Sequence, residues 1–402
     1  MNHRNTSPEF ILKQARRWHW RQVAWRRHFH QYPELSNRET KTTAFLQKLV
    51  SGLGLKVLPI DMKTGLLAEL KGKENGPTVA VRTDIDALPI TEQTGVPFKS
   101  KRPGCMHACG HDVHMAVVLG VAAILVETHS AIGGRGTVRF IFQPAEESPP
   151  GGARPMILSG AIDDVSVIFG VHVDPQTSTG KIGLRDGVTM ASVTDFDLIV
   201  GGKGGHAARP HLGVDAISVA AEIVESVQKV VSREIDPTSP VAVSFGMVYG
   251  GTARNVIADR VTLQGTARAL SPDAARALPK LIRRTAEGIC SARGARLEMT
   301  IVADYPVLKN DPAVNRVLSR SFESLFGKGR VVETSPVLGG EDFACYLQKV
   351  PGAMFRLGVM NKELKADKPW HSPEFMVDEE AIFHGTATLV AAVLDSLGSR
   401  GQ

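Results

Sequence analysis

The sequence predicts an α/β domain with a mostly parallel sheet and helices on both faces, into which an α+β domain of ferredoxin-like topology is inserted. First, strand-like apolar runs alternate with helical stretches toward both ends of the chain. Second, the middle of the chain has the order βαββαβ, which forms a compact ferredoxin-like unit by itself. The length of 402 residues also exceeds what one typical hydrophobic core accommodates.

The first part of the chain begins with a helix predicted from Pro8 to Gln31. Ser36 or Asn37 can cap a second helix that ends near Gly52. The elements that follow alternate between strand and helix, as a parallel sheet requires. Strands are predicted at 65–70, 78–82, 137–142 and 165–171, and helices at 109–128 and 153–158.

The middle of the chain begins with a strand, 193–200, in which polar and apolar residues alternate as in a half-exposed strand. It continues with a helix at 214–232, strands at 241–249 and 260–269, a helix at 272–290 and a strand at 296–302. Residues 311–402 return to helix–strand alternation. We therefore assign 1–188 and 304–402 to one α/β domain and 189–303 to a second domain inserted into it.

Composition limits the class of protein. Hydrophobic residues make up 43% and charged residues 22%, which are globular values and argue against disordered or fibrous proteins. Apolar stretches such as 116–126 are shorter than a bilayer span, and the N-terminal segment has no apolar signal core. We therefore expect a cytoplasmic protein without a membrane partner. Four cysteines, without paired CxxC motifs, are too few for a disulfide scaffold or a zinc ribbon.

The formal net charge is +6, and much of the basic excess lies on the first predicted helix. A nucleic-acid-binding arm is one interpretation of this helix. An amphipathic helix with a solvated basic face is the other, and we favour it because no nucleic-acid-binding motif accompanies the charges. The basic residues concerned are Lys13, Arg16, Arg17, Arg21, Arg26 and Arg27.

Five polar clusters occur in the α/β part, most of them where a predicted strand ends or a helix begins. Open α/β sheets bind their ligands at this edge, so we expect the clusters to converge. Each cluster alone has a structural explanation, such as helix capping, but together they predict a metal centre. The clusters are Asp84 with Asp86, Cys109 with His111, Asp112 and His114, Glu146 with Glu147, then His172, and finally His371.

The residue types indicate which metal and which chemistry. Thiolate, imidazole and carboxylate ligands suit Zn(II), Mn(II), Co(II) or Ni(II) rather than calcium or magnesium. A catalytic ion keeps open positions, and it lowers the pKa of water from ~15.7 toward ~7. A carboxylate outside the coordination sphere must still accept the proton. The adjacent Glu146 and Glu147 can divide these tasks between base and ligand.

Nine sequence segments in order identify a resemblance. The chain resembles the hippurate hydrolase and auxin-conjugate hydrolase group of aminoacylase and carboxypeptidase-G type dinuclear metallopeptidases, from about Arg27 to Phe375. That family has a catalytic α/β domain and a ferredoxin-like lid that usually also dimerises. The resemblance therefore implies that 1–188 and 304–402 form the catalytic domain and 189–303 the lid or dimerisation domain. The segments are RHFHQYPELS, RTDIDALPI, PGCMHACGHDVHM, FQPAEESPPGGA, GVHV, GGKGGHAARPH, GGTARNVI, GGEDFACY and WHSPEF.

The resemblance implies a role for individual residues. Glu146 matches the general base, Asp86 the aspartate that orients a ligand, and His206 a lid histidine that approaches the substrate carbonyl. Asn255 and Arg268 match lid positions near the substrate. The implied ligands of two divalent metal ions per subunit are Cys109, His111, Glu147, His172 and His371. Cys109 replaces a bridging aspartate of relatives, which is associated with manganese. Zinc, cobalt and nickel remain alternatives.

The resemblance further implies a homodimer that hydrolyses the amide bond of small N-acyl amino acids such as hippurate. A deacetylase of a biosynthetic intermediate such as N-acetyl-diaminopimelate is the alternative enzyme. A metal- or ligand-binding protein without catalysis is the alternative from another class. The sequence disfavours the last, because the base and all five ligands are present. His107 and His114 are expected to have structural roles or to contact ligand residues.

Overall fold

The computed structural model describes residues 7–129 and 134–398, which form two compact units. The first unit contains the chain up to Gly187, Lys309–Ser335 and the chain from Cys345 onward. The second unit contains Val188–Leu308 and Pro336–Ala344. Residues 336–344 therefore cluster with the second unit, although the sequence analysis assigned them to the catalytic part.

The helices are α1 (Pro8–Gln31), α2 (Thr40–Gly52), α3 (His111–His129), α4 (Ala153–Leu158), α5 (Ala216–Arg233), α6 (Pro272–Arg293), α7 (Pro312–Phe326), α8 (Ala344–Leu347) and α9 (Glu380–Gly398). The strands are β1 (Lys56–Leu58), β2 (Leu66–Lys71), β3 (Glu74–Asp84), β4 (Arg135–Gln143), β5 (Val165–Ser178), β6 (Ile182–Leu184), β7 (Gly187–Met190), β8 (Ser192–Gly201), β9 (Gly205–His206), β10 (Val241–Gly250), β11 (Val256–Ile257), β12 (Arg260–Ala269), β13 (Arg296–Tyr305), β14 (Leu308–Asn310), β15 (Val331–Glu333) and β16 (Gly352–Met360).

The first unit is built on an eight-stranded sheet with the order β1-β2-β4-β3-β5-β16-β6-β15. Its central strands β4, β3, β5 and β16 are parallel, whereas β1 with β2, β2 with β4, and β16 with β6 are antiparallel. Parallel strands need crossover connections, and α3 is part of the one between β3 and β4. Helix α3 packs on β3 and β5, and the last helix, α9, packs on β16 and β3. The predicted α/β fold class with a mostly parallel sheet is confirmed.

The second unit is built on a four-stranded antiparallel sheet with the order β10-β12-β8-β13. Helices α5 and α6 pack on this sheet. The chain order β8, α5, β10, β12, α6, β13 gives the sheet and its helices the predicted βαββαβ connectivity. Both helices begin where the sequence provides a cap. Asp215 accepts from two amides of α5, and Ser271 accepts from the amide of Ala274 in α6. The C-terminal cap of α6 is Gly294, which has a φ of 68°.

Helices α3 and α9 form the apolar interior of the first unit. In length and composition both could cross a membrane, which the sequence analysis did not anticipate for its apolar stretches. In the structure 89% of the segment His111–Thr128 in α3 and 72% of the segment Glu380–Gly398 in α9 are buried inside the protein. Both helices pack against α1 as well as the sheet, so we interpret them as core helices.

Helix α1 has the predicted bounds, but its basic face is not simply solvated. Arg26 is buried and its Nε lies 2.8 Å from Asp112 Oδ2, next to the start of α3. Three other arginines of this helix pair with carboxylates of α3, of α9 and of the residue that precedes α9. These pairs are Arg16 with Glu380, Arg17 with Glu127 and Arg27 with Glu379. Much of the basic excess of α1 is therefore neutralised within the first unit.

Several predicted boundaries differ from the structure, and two of the differences have a clear physical cause. Helix α2 begins at Thr40 with Glu39 as its N-cap, because Asn37 has a φ of 63° that no helix start accommodates. Strand β5 continues to Ser178, so His172 lies inside a strand rather than at its end. The extension is explained by β16, which pairs with β5 beyond His172 and holds the chain in an extended conformation.

Gln22 of α1 lies in a tightly packed part of the core. Its Nε2 donates to Ala116 O at 3.1 Å and to Thr386 Oγ1 at 2.6 Å, joining α1, α3 and α9. A Cβ added to Gly120 would lie 1.8 Å from that nitrogen. We expect Gly120→Ala to lower the free energy of unfolding by about 1–3 kcal/mol, because Gln22 must give up buried hydrogen bonds.

The control is Gly288→Ala on α6, where an added Cβ meets no atom within 4 Å. This variant should gain up to about 1 kcal/mol from helix propensity. Urea denaturation of both variants gives the comparison. Equal stability changes would show that the contact between Gly120 and Gln22 is not restrictive.

Candidate metal centre

The predicted polar clusters of the first unit meet at the carboxyl edge of its parallel strands. In the sheet register Asp84 at the end of β3 pairs with Gln143 at the end of β4, and Arg82 pairs with Gly170 in β5. Residues after β3 and β4, and those near the middle of β5, therefore reach the same edge. Helix α3 also begins at this edge, with His111 as its first residue.

Gly110 allows the loop before α3 to approach the sheet closely. Its φ is 85°, and an added Cβ would lie 2.5 Å from a Cγ of Val173, next to His172. Any other residue would be both strained and in collision at this position. Gly110 thus places the two side chains that flank it, Cys109 and His111, beside β5.

Cys109 belongs to two groups of side chains that could each hold a metal ion. In the first group, Cys109, His111 and His172, the ligand atoms lie within 4.8 Å of one another. In the second group, Cys109, Glu147 and His371, they lie within the same distance. Cys109 Sγ is 3.6 Å from His172 Nε2, and His371 Nε2 is 3.4 Å from Glu147 Oε1. A single sulfur atom therefore belongs to both candidate ligand groups.

His111 is oriented by the segment that follows β3. Its Nδ1 lies 2.9 Å from the backbone oxygen of Asp86 and 3.3 Å from Asp86 Oδ1, so Nδ1 carries the hydrogen and donates it. Its Nε2 is left facing Glu147 Oε1 at 3.8 Å. Histidine ligands of metals are commonly fixed in this way by a hydrogen bond from the other ring nitrogen.

His114 is excluded as a ligand because both of its ring nitrogens are already used. Its Nδ1 lies 2.7 Å from Asp84 Oδ1, and its Nε2 accepts the amide hydrogen of Val173 at 2.9 Å. Asp84 in turn pairs with the fully buried Arg82 at 2.8 Å. The group Asp84, His111 and His114 thus supports the centre and is not a third place for an ion. Arg82, a charged residue inside an apolar strand, was the one sequence signal for this support.

The electrostatic field at the centre is negative. Burial opposes the charged form of His111, but Asp84, Asp86 and Glu147 outweigh burial and raise its pKa to about 10. Burial also raises the pKa of the Cys109 thiol, and the charges of Glu147 and Glu146 raise it further. Both shifts have the sign expected when buried carboxylates outnumber the cations near them.

Three observations indicate that these side chains fit a pair of divalent cations. A thiol, imidazoles and a carboxylate suit a borderline transition metal, and the local excess of negative charge favours a cation. His111 Nε2 and Glu147 Oε1 are also among the buried polar atoms of the described residues that make no hydrogen bond. Buried polar atoms are normally paired, so these two point to a ligand.

Glu146 and Glu147 lie in a turn after β4. One oxygen of Glu146 lies within 4.8 Å of the donor atoms of both His111 and Glu147, and Glu146 is 7% exposed. The amide of Glu147 donates to Asp86 Oδ2 at 2.9 Å, and Ser36 Oγ donates to the same oxygen at 2.6 Å. Asp86 therefore contacts both a candidate ligand and the turn beside it. The contact with Ser36 had no sequence signal.

Three of the residues implied by the resemblance, His206, Asn255 and Arg268, lie in the second unit. The exposed His206 pairs with Val256 across β9 and β11, and its Nδ1 accepts the amide hydrogen of Ala208 at 3.1 Å. Because Nδ1 accepts, Nε2 carries the ring hydrogen. Asn255 O accepts from the amide of Ala207, and Arg268 lies half-buried in β12. The roles of these three residues stay predictions.

Comparison with known proteins agrees with the chemistry of the centre. The family model of peptidase family M20/M25/M40 matches residues 80–395. The N-acetylcysteine deacetylase of Bacillus subtilis (strain 168) is 41% identical, over 94% of this chain and 98% of that protein. The N-acetyldiaminopimelate deacetylase of Listeria innocua is 38% identical, over 90% of this chain and 95% of that protein.

A solved structure is similar over nearly the whole chain. The Bacillus subtilis YXEP protein, described as a dinuclear metal binding peptidase from the M20 family, has a TM-score of 0.81 and 36% sequence identity. The match covers 95% of this chain and 99% of that one.

The two adjacent glutamates should respond differently to the same substitution. We expect Glu146→Gln to keep bound metal and to lose at least ~100-fold in turnover, the usual scale for loss of a general base. We expect Glu147→Gln to lose metal affinity as well, because it removes a charged ligand oxygen. Elemental analysis and turnover measured on the same preparations separate the two effects. Equal loss of metal in both variants would contradict this division.

Proposed function

Because the chain belongs to peptidase family M20/M25/M40, we propose that it is a metal-dependent hydrolase that cleaves the amide bond of N-acyl amino acids. The observation that carries the proposal is the position of Cys109 between two groups of ligand atoms, with Glu146 beside them. This arrangement supports the use of two divalent ions and leaves one carboxylate to act as a base. The products would be a carboxylic acid and a free amino acid.

The residues of the first unit divide the reaction among them. Divalent ions held by Cys109, His111, Glu147, His172 and His371 would supply Lewis-acid chemistry, which polarises a carbonyl and acidifies water. Glu146 accepts the proton of the attacking water and returns it to the leaving nitrogen, so that the amine departs neutral. Asp86 holds His111 and the amide of Glu147 in place during both steps.

His206 is proposed to stabilise the negative charge that develops on the carbonyl oxygen. The contact between its Nδ1 and the amide of Ala208 leaves Nε2–H available as a donor on an exposed side chain. A donor placed in advance toward such an oxygen typically contributes ~2.7–4 kcal/mol. Asn255 and Arg268 are proposed to bind the substrate.

Two acyl groups are candidates. The resemblance to hippurate hydrolases supports an aromatic or aliphatic acyl group. The relatives from Bacillus subtilis and Listeria innocua are deacetylases by name, which supports an acetyl group. Release of benzoate from hippurate, compared with release of acetate from N-acetylcysteine and N-acetyl-diaminopimelate, separates these candidates.

Manganese and a homodimer complete the proposal. Cys109, which replaces the bridging aspartate of relatives, supports manganese, with zinc, cobalt and nickel as alternatives. An edge strand supports self-association through the second unit, because β10 is at one end of its sheet and exposes Met247, Val248 and Tyr249. The cytoplasmic location stays a prediction.

Activity should depend on divalent metal. We expect dialysis against a chelator to abolish hydrolysis of hippurate, N-acetylcysteine and N-acetyl-diaminopimelate, and Mn(II), Co(II) or Zn(II) to restore it. Without metal the ligand side chains are protonated or paired with one another, so they cannot activate water. Elemental analysis gives the metal content at each stage. Full activity in protein shown to be free of metal would overturn the proposed mechanism. Bound metal without hydrolysis of any substrate would favour the non-catalytic alternative.

His206 should be needed for turnover but not for metal binding. We expect His206→Ala to keep its metal and its melting temperature and to lose at least ~100-fold in turnover, the size of a lost carbonyl donor. Co-refolding of His206→Ala with Glu146→Ala tests whether the histidine acts on the other subunit, because one site of a mixed dimer would then be intact. If mixed dimers confirmed by native mass spectrometry have no activity, His206 does not act across subunits.

A further inference from the structure

We infer that Glu39 is a positioning residue, whose carboxylate fixes the turn that carries Glu146 and Glu147. The inference rests on the proposed function, because it assigns Glu39 a part in holding the base. Glu39 is fully buried, and its Oε1 accepts the amide hydrogen of Ala145 at 2.8 Å. Ala145 directly precedes Glu146 in the chain.

The conformation at Ala145 needs such a contact. Its φ is 55°, in the left-handed region that side chains with a Cβ rarely adopt. The turn does not use glycine at this position, so an external interaction must hold the backbone there. The buried carboxylate of Glu39, about one hundred residues earlier in the chain, is that interaction.

The same turn is held on its other side. The amide of Glu147 donates to Asp86 Oδ2, so the two amides that flank Glu146 each end on a buried carboxylate. Pro144 is also confined, because its backbone oxygen packs directly against Gly152. A Cβ at Gly152 would lie only 1.9 Å from that oxygen. The backbone of Glu146 therefore has little freedom, and Glu39 provides one of its two anchors.

Helix capping does not explain this residue. Glu39 is the N-cap of α2, yet its side chain makes no hydrogen bond to the described amides of the first turn. Its carboxylate points instead to a different segment. Burial is the largest contribution to a raised pKa for this carboxyl, so its burial is unfavourable for the charged form. The carboxyl also hydrogen-bonds the backbone of Glu39 itself and the side chain of Thr64. Neither partner lies in the turn that carries Glu146, so the contact with Ala145 is the one that connects Glu39 to the base.

Three variants test the inference. Glu39→Leu removes the acceptor, whereas Glu39→Gln keeps an oxygen that can accept from Ala145. The matched control is Glu34→Leu, because Glu34 Oε2 accepts from the amide of Thr42 at 2.8 Å on a neighbouring segment. For each variant we propose to measure kcat, KM, metal content and amide hydrogen exchange in a peptide spanning 143–148.

We expect Glu39→Leu to lower kcat at least tenfold with KM within twofold, and to speed exchange at Ala145. Glu39→Gln should behave as the wild type, and Glu34→Leu should lose thermal stability while keeping kcat and the exchange of this peptide. Unchanged exchange in Glu39→Leu, or equal damage in Glu39→Gln, would overturn the inference. Because exchange needs no substrate, it still decides the matter if the wild-type protein hydrolyses no N-acyl amino acid.

A separate observation concerns the substrate. A cavity of about 320 Å³ lies beside Glu147 within the first unit. Its apolar wall includes Leu35, Leu88 and Pro89, and its polar groups include Ser36 and the exposed Arg38. Arg38 has no ion-pair partner among residues 7–129 and 134–398. The volume is at the lower end of the range for small-molecule sites.

We propose that this cavity binds a carboxylate-bearing part of the substrate, with Arg38 as the recognising cation. This proposal also rests on the proposed function. Groups attached to the scissile amide must lie within a few ångströms of the metal ligands, and Glu147 belongs to both the centre and the cavity wall. The apolar wall suits a hydrocarbon stem, and a guanidinium suits a carboxylate at its end.

Matched substrates identify which carboxylate is bound. The pairs are N-succinyl against N-butanoyl derivatives, N-acetylglutamate against N-acetylglutamine, and an N-acyl amino acid against its α-amide. The variants are Arg38→Ala and Arg38→Lys. Arg316→Ala is the control, because Arg316 is also exposed but lines a different cavity.

We expect Arg38→Ala to lower kcat/KM about tenfold for the carboxylate member of at least one pair and less than twofold for its neutral partner. Arg38→Lys should retain part of the preference, and Arg316→Ala should retain all of it. If Arg38→Ala leaves the ratio of kcat/KM between the carboxylate and the neutral substrate unchanged in all three pairs, this proposal is wrong. Failure of the wild-type protein to hydrolyse any member would instead contradict the proposed function.

Discussion

The centre depends on Asp86, which connects three segments that are far apart in the chain. Its backbone oxygen orients His111 at the start of α3, and its carboxylate accepts from the amide of Glu147 after β4 and from the hydroxyl of Ser36. Each contact constrains a group that surrounds the candidate ligands. Asp86 is fully buried, and hydrogen bonds lower its pKa against the effect of burial, so it stays an acceptor. One residue therefore sets the relative position of a ligand imidazole and a ligand carboxylate.

The negative charge of the centre is a consequence of how this support is built. Asp84 and Asp86 are needed to hold His114 and His111, and Arg82 balances only part of their charge. Glu146 and Glu147 add further negative charge beside Cys109. The field keeps the Cys109 thiol protonated and His111 charged unless a cation is present. Support of the ligands and attraction of the metal thus have one physical origin.

The fold places these residues by a simple geometric rule. Parallel strands end at one edge, so residues after β3 and β4 meet beside β5, and the crossover helix α3 begins at the same edge. Close packing then fixes the details. Gly110 lets the Cys109 loop contact Val173, and Gln22 joins α1 to the two core helices that support the sheet.

The sequence determined the elements whose signals are local. The predicted bounds of α1, α4 and β12 agree with the structure, because periodicity, caps and breakers act over a few residues. Residue types also determined which side chains could bind a metal. The start of α2 and the end of β5 could not be predicted, because Asn37 has a left-handed conformation and β5 is extended by its partner β16.

Only the tertiary structure decided how each polar group is used. The sequence could not show that Cys109 belongs to two ligand groups, or that both nitrogens of His114 are occupied. It also could not show that Arg26 is buried against Asp112, or that Glu39 holds Ala145. The physical reason is that a lone pair or a hydrogen has one partner at a time, and that partner comes from another strand or helix. Local patterns specify which groups are available, and packing selects which of them meet.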